Sequence, residues 1–250
     1  MKNYQEIAKQ SRIKVLELIM KAQTSHIGSN FSCADIMAVL FEKIDLDKDK
    51  FVLSAGWKAA TLYFHLWRKG RITLEELDSY CQDGSEFIGL AEPVCKDITI
   101  AGGSMGLGLP GAVGLALAKK LKGEDGKVYV LMSDGELQIG TTWESALIAS
   151  QHKLDNLIVI VDNNGFCAMG KTKDILDGYF PAKGWDLIMV DGHDHGVIEN
   201  RLGLQKDKPL VIIADTVKGY PVSFMSNNNL YHYKQLSEEE FNNANKELNG

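Results

Sequence analysis

The segment 127–166, KVYVLMSDGELQIGTTWESALIASQHKLDNLIVIVDNNGF, constrains the fold of this chain more than any other. An apolar run at 128–132 stops at Ser133-Asp134-Gly135-Glu136. A stretch of helical period follows, and a second apolar run at 157–161 stops at Asp162-Asn163-Asn164-Gly165. Short continuous apolar runs separated by a helix are the pattern of a β–α–β unit with parallel strands buried on both faces. Parallel sheets carry ligand sites beyond the carboxyl ends of their strands, so both polar turns are expected to open on one crevice. Asp134 and Asn164 both offer oxygen, the donor atom of hard cations, and could share one. Aspartate, asparagine and glycine are also ordinary turn residues, which would account for both turns without a ligand.

KFVLS (50–54), DLIMV (186–190) and LVIIA (210–214) read as further strands, the last two as buried parallel ones. Ile7, Val15, Leu16, Leu18 and Ile19 give the N-terminal segment a helical apolar face. It is expected to end in the polar stretch TSHIGSN (24–30), which holds His26. That stretch reads either as a site loop or as a helix C-terminus where His26 meets the last carbonyls. Ser32 is placed to cap a helix over 33–41, with Asp35 at its positive end, and Thr73 and Glu76 have capping-box spacing. The paired histidines of DGHDH (191–195) have no third zinc ligand at usable spacing, which favours helix capping over metal binding. Residues 81–101 are irregular. AGGSMGLG (101–108) then leads into the helical LPGAVGLALAKKL, and glycines before a helix let backbone N–H groups approach a phosphate. GLGLPG matches a dinucleotide fingerprint by letter. The preceding DITI is a poor strand, however, and tight helix packing is the other reading. The fold class is α/β, a parallel sheet flanked by helices, with 1–250 forming one domain.

A net charge of −6 with no long basic run disfavours nucleic acid and anionic membranes as partners. The four cysteines form no CxxC or zinc spacing and read as free thiols of a reducing compartment, which predicts a cytoplasmic protein. The first helix scatters charge through its apolar positions, unlike a signal peptide, and no apolar run approaches the roughly 20 residues of a membrane span.

A glycine-rich helix entrance suits a diphosphate, and an Asp plus an Asn oxygen suit Mg²⁺ or Ca²⁺. Together they describe a metal-bridged diphosphate site. The segment 133–170 resembles the thiamine-diphosphate motif, a GDG turn followed about thirty residues later by an asparagine. SHIGS with ADI (25–37), FVLSAG (51–56), GGSMGLGLPGAVGLALA (102–118), WESALIASQHKLDNLIVIVDNNG (143–165), DGHDH and ADTVKGYPVSFM (214–225) resemble the transketolase family in order. The resemblance implies a thiamine-diphosphate-binding (PP) domain of the kind found as a separate N-terminal chain in split enzymes. It implies Mg²⁺ held by Asp134, Asn164 and the carbonyl of Phe166, and thiamine diphosphate contacted by Gly103, Ser104, Met105, Asp134, Gly135 and Asn164. His26 and, in YHY, His232 would be the catalytic histidines that meet the sugar donor.

Four positions depart from the family pattern: Ser133 for its first glycine, Trp57 and Glu92 for two of its histidines, and Ile139 for an acidic residue. The glutamate that activates the cofactor belongs to the family's pyrimidine-binding domain. A separate pyrimidine-domain subunit is therefore expected as partner, in a heterotetramer. The function implied is two-carbon transfer between carbonyl compounds, most simply sugars. Decarboxylating acyl transfer from a 2-oxo acid such as pyruvate, and a non-catalytic regulatory role, are the alternatives.

Overall fold

A computed structural model describes residues 3–172, 180, 183–204 and 207–250. Its centre is a five-stranded sheet in the order β1-β2-β3-β7-β6, with every neighbouring pair parallel. The strands are β1 (Lys50–Leu53), β2 (Val128–Ser133), β3 (Leu157–Asn163), β6 (Asp186–Asp191) and β7 (Leu210–Asp215). A two-residue hairpin, β4 (Phe166–Cys167) and β5 (Gly170–Lys171), lies apart from this sheet. β2, β3 and β7 are built of β-branched and other apolar residues buried on both sides, as parallel strands under two helical layers must be.

Side-chain alternation divides the core into two layers. Phe51, Leu53, Tyr129, Leu131, Ile158, Ile160 and Ile212 face one cluster, formed with α1 (Tyr4–Ala22), α3 (Ala34–Lys43), α4 (Ala59–Arg68), α8 (His195–Leu202) and α9 (Glu238–Asn249). Val52, Val130, Met132, Val159, Val161, Val211 and Ile213 face the other, under α6 (Gly108–Lys122) and α7 (Gly140–Gln151). The expectation for 186–190 needs correction: β6 ends the sheet, and Leu187 and Met189 on one of its faces are 42% and 64% exposed.

The helix signals hold with two corrections. Thr73 and Glu76 close a capping box on α5 (Leu74–Asp78), and Ser237 and Glu240 close one on α9. Asp194 caps α8, as the non-metal reading of DGHDH required. Most of the polar stretch 24–30, however, is helical: α2 runs Ile27–Ser32, leaving a short turn that ends at His26. Ser32 does not cap α3, whose N-cap is Cys33; its hydroxyl turns inward to Asp162. Within GLGLPG the packing reading is supported, since a Cβ on Gly108 would meet Ser54 at 2.5 Å.

A parallel sheet gathers its carboxyl-end loops on one edge. Here Ser54–Lys58 after β1, the 3-10 turn Asp134–Gln138 after β2, Asn164–Cys167 after β3 and Thr216–Lys218 after β7 share it. No helix among the described residues is long and apolar enough to cross a membrane.

His65 on α4 is fully buried between Phe41 and Phe64, and neither ring nitrogen has a hydrogen-bond partner among the described residues. Burial lowers its pKa to about 3, so the folded state binds fewer protons than the unfolded chain. Stability is therefore full above the unfolded histidine value and is lost as pH falls from there toward 3. His65→Phe is expected to match or exceed wild-type stability at neutral pH. At about pH 5 it should be ahead by a further ~2 kcal/mol, read from urea midpoints at the two pH values.

Candidate active site

Three carboxylates are taken out of water at the carboxyl ends of β2 and β3. Glu136, in the Asp134–Gln138 turn, is fully buried. It accepts from Ser54 Oγ, from Gly106 N at 3.0 Å and from Ser133 N at 2.8 Å. It thereby ties β1, the glycine-rich loop and the aspartate turn together. Asp162, at the end of β3, is fully buried in an ion pair with Lys58 and also accepts from Ser32 Oγ at 2.6 Å and from Thr216 Oγ1.

Asp134 is 4% exposed. Its Oδ2 accepts from Thr172 Oγ1 at 2.6 Å and Gly165 N at 2.8 Å, and its Oδ1 from Gly135 N at 3.0 Å. These donors are neutral, and Asp134 forms no ion pair among the described residues. Burial raises its pKa to about 6. Asn164, 5% exposed, directs Nδ2 toward Ser32 Oγ and Asp162 Oδ2, while its Oδ1 accepts from Phe166 N at 3.1 Å. Asp134 and Asn164 are joined through Gly165, whose N–H bonds the aspartate. The two predicted cation ligands therefore do meet on one edge of the sheet.

Above this layer lies a cavity of about 260 Å³. Gly103, Met105, Ser133, Gly135, Asn164 and Phe166 form part of its wall, and His26, Trp57, Leu90, His232 and Tyr233 another part. A Cβ on Gly135 would stand 3.2 Å from both Cys167 Cβ and Met105 Cε, so only glycine leaves this wall open. Ser104 is exposed and does not line the cavity, and neither does Glu92.

His26 adopts the left-handed conformation (φ 69°), and its N–H bonds the carbonyl of His232 at 3.0 Å. The imidazoles lie 5.1 Å apart edge to face, with Tyr233 5.5 Å and Trp57 6.5 Å from His26. Burial first, and the charge of Lys218 second, lower His26 to about 4 and His232 to about 3, so both are neutral near pH 7. Lys218 is fully buried and donates to Asn229 Oδ1 and His232 Nδ1, each at 2.8 Å. An ammonium has no acceptor, so His232 Nδ1 accepts and its proton sits on Nε2.

Comparison with known proteins fits this geometry. The family model described as "Transketolase, thiamine diphosphate binding domain" matches residues 3–249. This chain belongs to the transketolase family. It is 31% identical to one of the subunits of the apulose-4-phosphate transketolase of Phocaeicola vulgatus, over 96% of this chain and 92% of that one. It is 32% identical to a 6-deoxy-6-sulfo-D-fructose transketolase subunit of a Clostridium species, over 90% of this chain and 88% of that one. The crystal structure of Campylobacter jejuni transketolase superposes with a TM-score of 0.93 at 30% identity. All of this chain is covered there, but it spans only 43% of that longer chain.

Within the transketolase frame, sequence reasoning missed Lys218, Lys58, Asp162 and Glu136. A buried lysine has the same letter as a surface one, and Lys218 is separated from His26 by 192 positions. For Asp162 and Glu136 the available signal was their place immediately after apolar runs. The paired histidines of DGHDH instead bond Asp35 from both sides, each at 2.8 Å, with Arg12 beside it.

Because Lys218 holds both neighbouring imidazoles neutral in part by its charge, Lys218→Met should raise the pKa of His26 and of His232. Both should stay below the ordinary histidine value, since burial remains. Proton–carbon NMR titration of the imidazole resonances reads this directly.

Proposed function

We propose that this chain is the magnesium- and diphosphate-holding subunit of a two-chain, thiamine-diphosphate-dependent transferase of the transketolase type. The observation that carries the reading is Asp134, a buried carboxylate whose hydrogen-bond partners among the described residues are all neutral donors, placed beside Asn164 and a glycine wall. A divalent cation supplies the positive charge that such a carboxylate lacks, and oxygen-only ligands suit Mg²⁺. Asp134, Asn164 and the Phe166 carbonyl would hold the ion, with Gly103, Met105 and Gly135 along the cofactor; Ser104, which lies outside the cavity, drops out of that set. When bound, thiamine diphosphate supplies the chemistry that breaks and makes a carbon–carbon bond next to a carbonyl.

This chain's own residues position the reactants. His232, with its proton on Nε2, donates to a donor hydroxyl or carbonyl. Neutral His26 exchanges a proton with a second oxygen, and Lys218 fixes the His232 tautomer while adding to the effect of burial on both rings. Trp57, Leu90 and Phe166 keep water from that end of the cavity. The relatives named as transketolase subunits support a sugar donor and a separate partner chain. That partner would carry the pyrimidine-binding half, in a heterotetramer. A cytoplasmic location accords with the four free thiols. Tyr233, exposed at the cavity wall, and the exposed Met169, next in sequence to the lining residue Ala168, suit a protein–protein contact there.

Trp57 favours a second reading. An indole where the family has a histidine offers a single donor and a large apolar face, which suits the acyl part of a 2-oxo acid better than a polyhydroxy chain.

Calorimetric titration with thiamine diphosphate should show binding that requires Mg²⁺ and that Asp134→Ala weakens at least about 100-fold. Equal binding by that variant would remove the metal assignment. With the partner chain present, consumption of a ketose without release of labelled CO₂ from pyruvate supports ketol transfer. The reverse outcome supports the 2-oxo acid reading.

A further inference from the structure

Beneath the proposed metal site lies a fully buried ion pair, Lys58–Asp162, that the chemistry above does not use. Lys58 stands at the entrance to α4, and Asp162 closes β3 two residues before Asn164. Such pairs are seldom retained for stability, because desolvation offsets their attraction and apolar replacements are often neutral or better. What this one does is fix a carboxylate. Oδ2 takes Lys58 Nζ and Ser32 Oγ, Oδ1 takes Thr216 Oγ1, and four elements of the fold are thereby joined to one side chain.

Asn164 Nδ2 lies 3.4 Å from that Oδ2 and 3.3 Å from Ser32 Oγ. Ser32 spends its own proton on Asp162, so toward Asn164 it is an acceptor. Two acceptors on one side admit only the NH₂ end of the amide. The oxygen must then face the other way, where it accepts from Phe166 N at 3.1 Å.

We infer that Lys58, Asp162 and Ser32 are positioning residues that hold the Asn164 amide with its oxygen presented to the metal. The inference rests on the metal site proposed above and adds residues to it that touch neither ion nor cofactor. Removing such support from a metal ligand typically lowers affinity about 10–100-fold.

The double variant Lys58→Met/Asp162→Asn removes one charge of each sign. The net charge near the metal is therefore kept while the fixed orientation is lost, since the substituted amide can offer either end to Asn164. In the full chain at saturating thiamine diphosphate, this variant is expected to unfold at close to the wild-type temperature. It should bind Mg²⁺ about 10–100-fold more weakly. Independently of any metal, the side-chain NH₂ resonances of Asn164 should lose their protection from solvent exchange. Ser32→Ala, which touches neither charge, should lower Mg²⁺ affinity in the same direction and serves if the double variant does not fold. Folded variants with wild-type Mg²⁺ affinity would overturn the inference while leaving the metal site intact. Mg²⁺ binding that is also indifferent to Asp134→Ala would instead overturn the metal site, and the inference with it.

Discussion

Burying three carboxylates within a few residues of each other is the constraint around which this end of the fold is arranged. Each solves the loss of water differently. Glu136 is met by two hydroxyls and two backbone amides, Asp162 by an ammonium, two hydroxyls and the Asn164 side-chain amide, and Asp134 by one hydroxyl and two backbone amides alone. Among the described residues, only Asp162 of the three is paired with a full positive charge. Desolvation of an anion is compensated fully only by charge or by dense hydrogen bonding. Asp134 is accordingly the group at which an incoming cation gains most.

The sheet makes this arrangement possible. Because all five strands run the same way, the donors that satisfy these carboxylates come from loops distant in sequence but adjacent in space: Ser54 after β1, Gly106 before α6, Gly165 after β3 and Thr216 after β7. The close approach of Gly108 to Ser54 lets the glycine-rich loop reach the same edge. A side chain there would displace the loop from Glu136, and with it one wall of the cavity. The histidine end of the cavity depends on a second buried charge, Lys218, which has no carboxylate partner among the described residues and keeps two imidazoles in their neutral form.

Legibility in the sequence followed the range of the interaction. The β–α–β unit, the capping box of α5 and the helix cap in DGHDH were readable because their partners lie within a few residues. That Asp134 and Asn164 lie on one edge of the sheet was readable because each stands in a turn just after a strand, whereas a role for Gly135 came only with the family resemblance. His26 was readable only as a histidine in a short polar stretch, and its pairing with His232 depends on a hydrogen bond across 206 positions. Ser32 was misread as a cap, because a serine before a helix has the same local pattern whether its hydroxyl bonds the helix or a distant carboxylate. The exposure of β6 was misread because an apolar run does not say whether its strand ends the sheet.

The sequence by itself determined a parallel α/β sheet with two oxygen-bearing turns and, through an ordered series of motifs, its membership of the transketolase family. Strand periodicity and turn chemistry are local and survive in the letters. Which side chains lose their water was decided only by the tertiary structure. Lys58, Asp162, Glu136 and Lys218 are written like surface residues, and burial against partners tens to more than a hundred positions away is what gives them their roles.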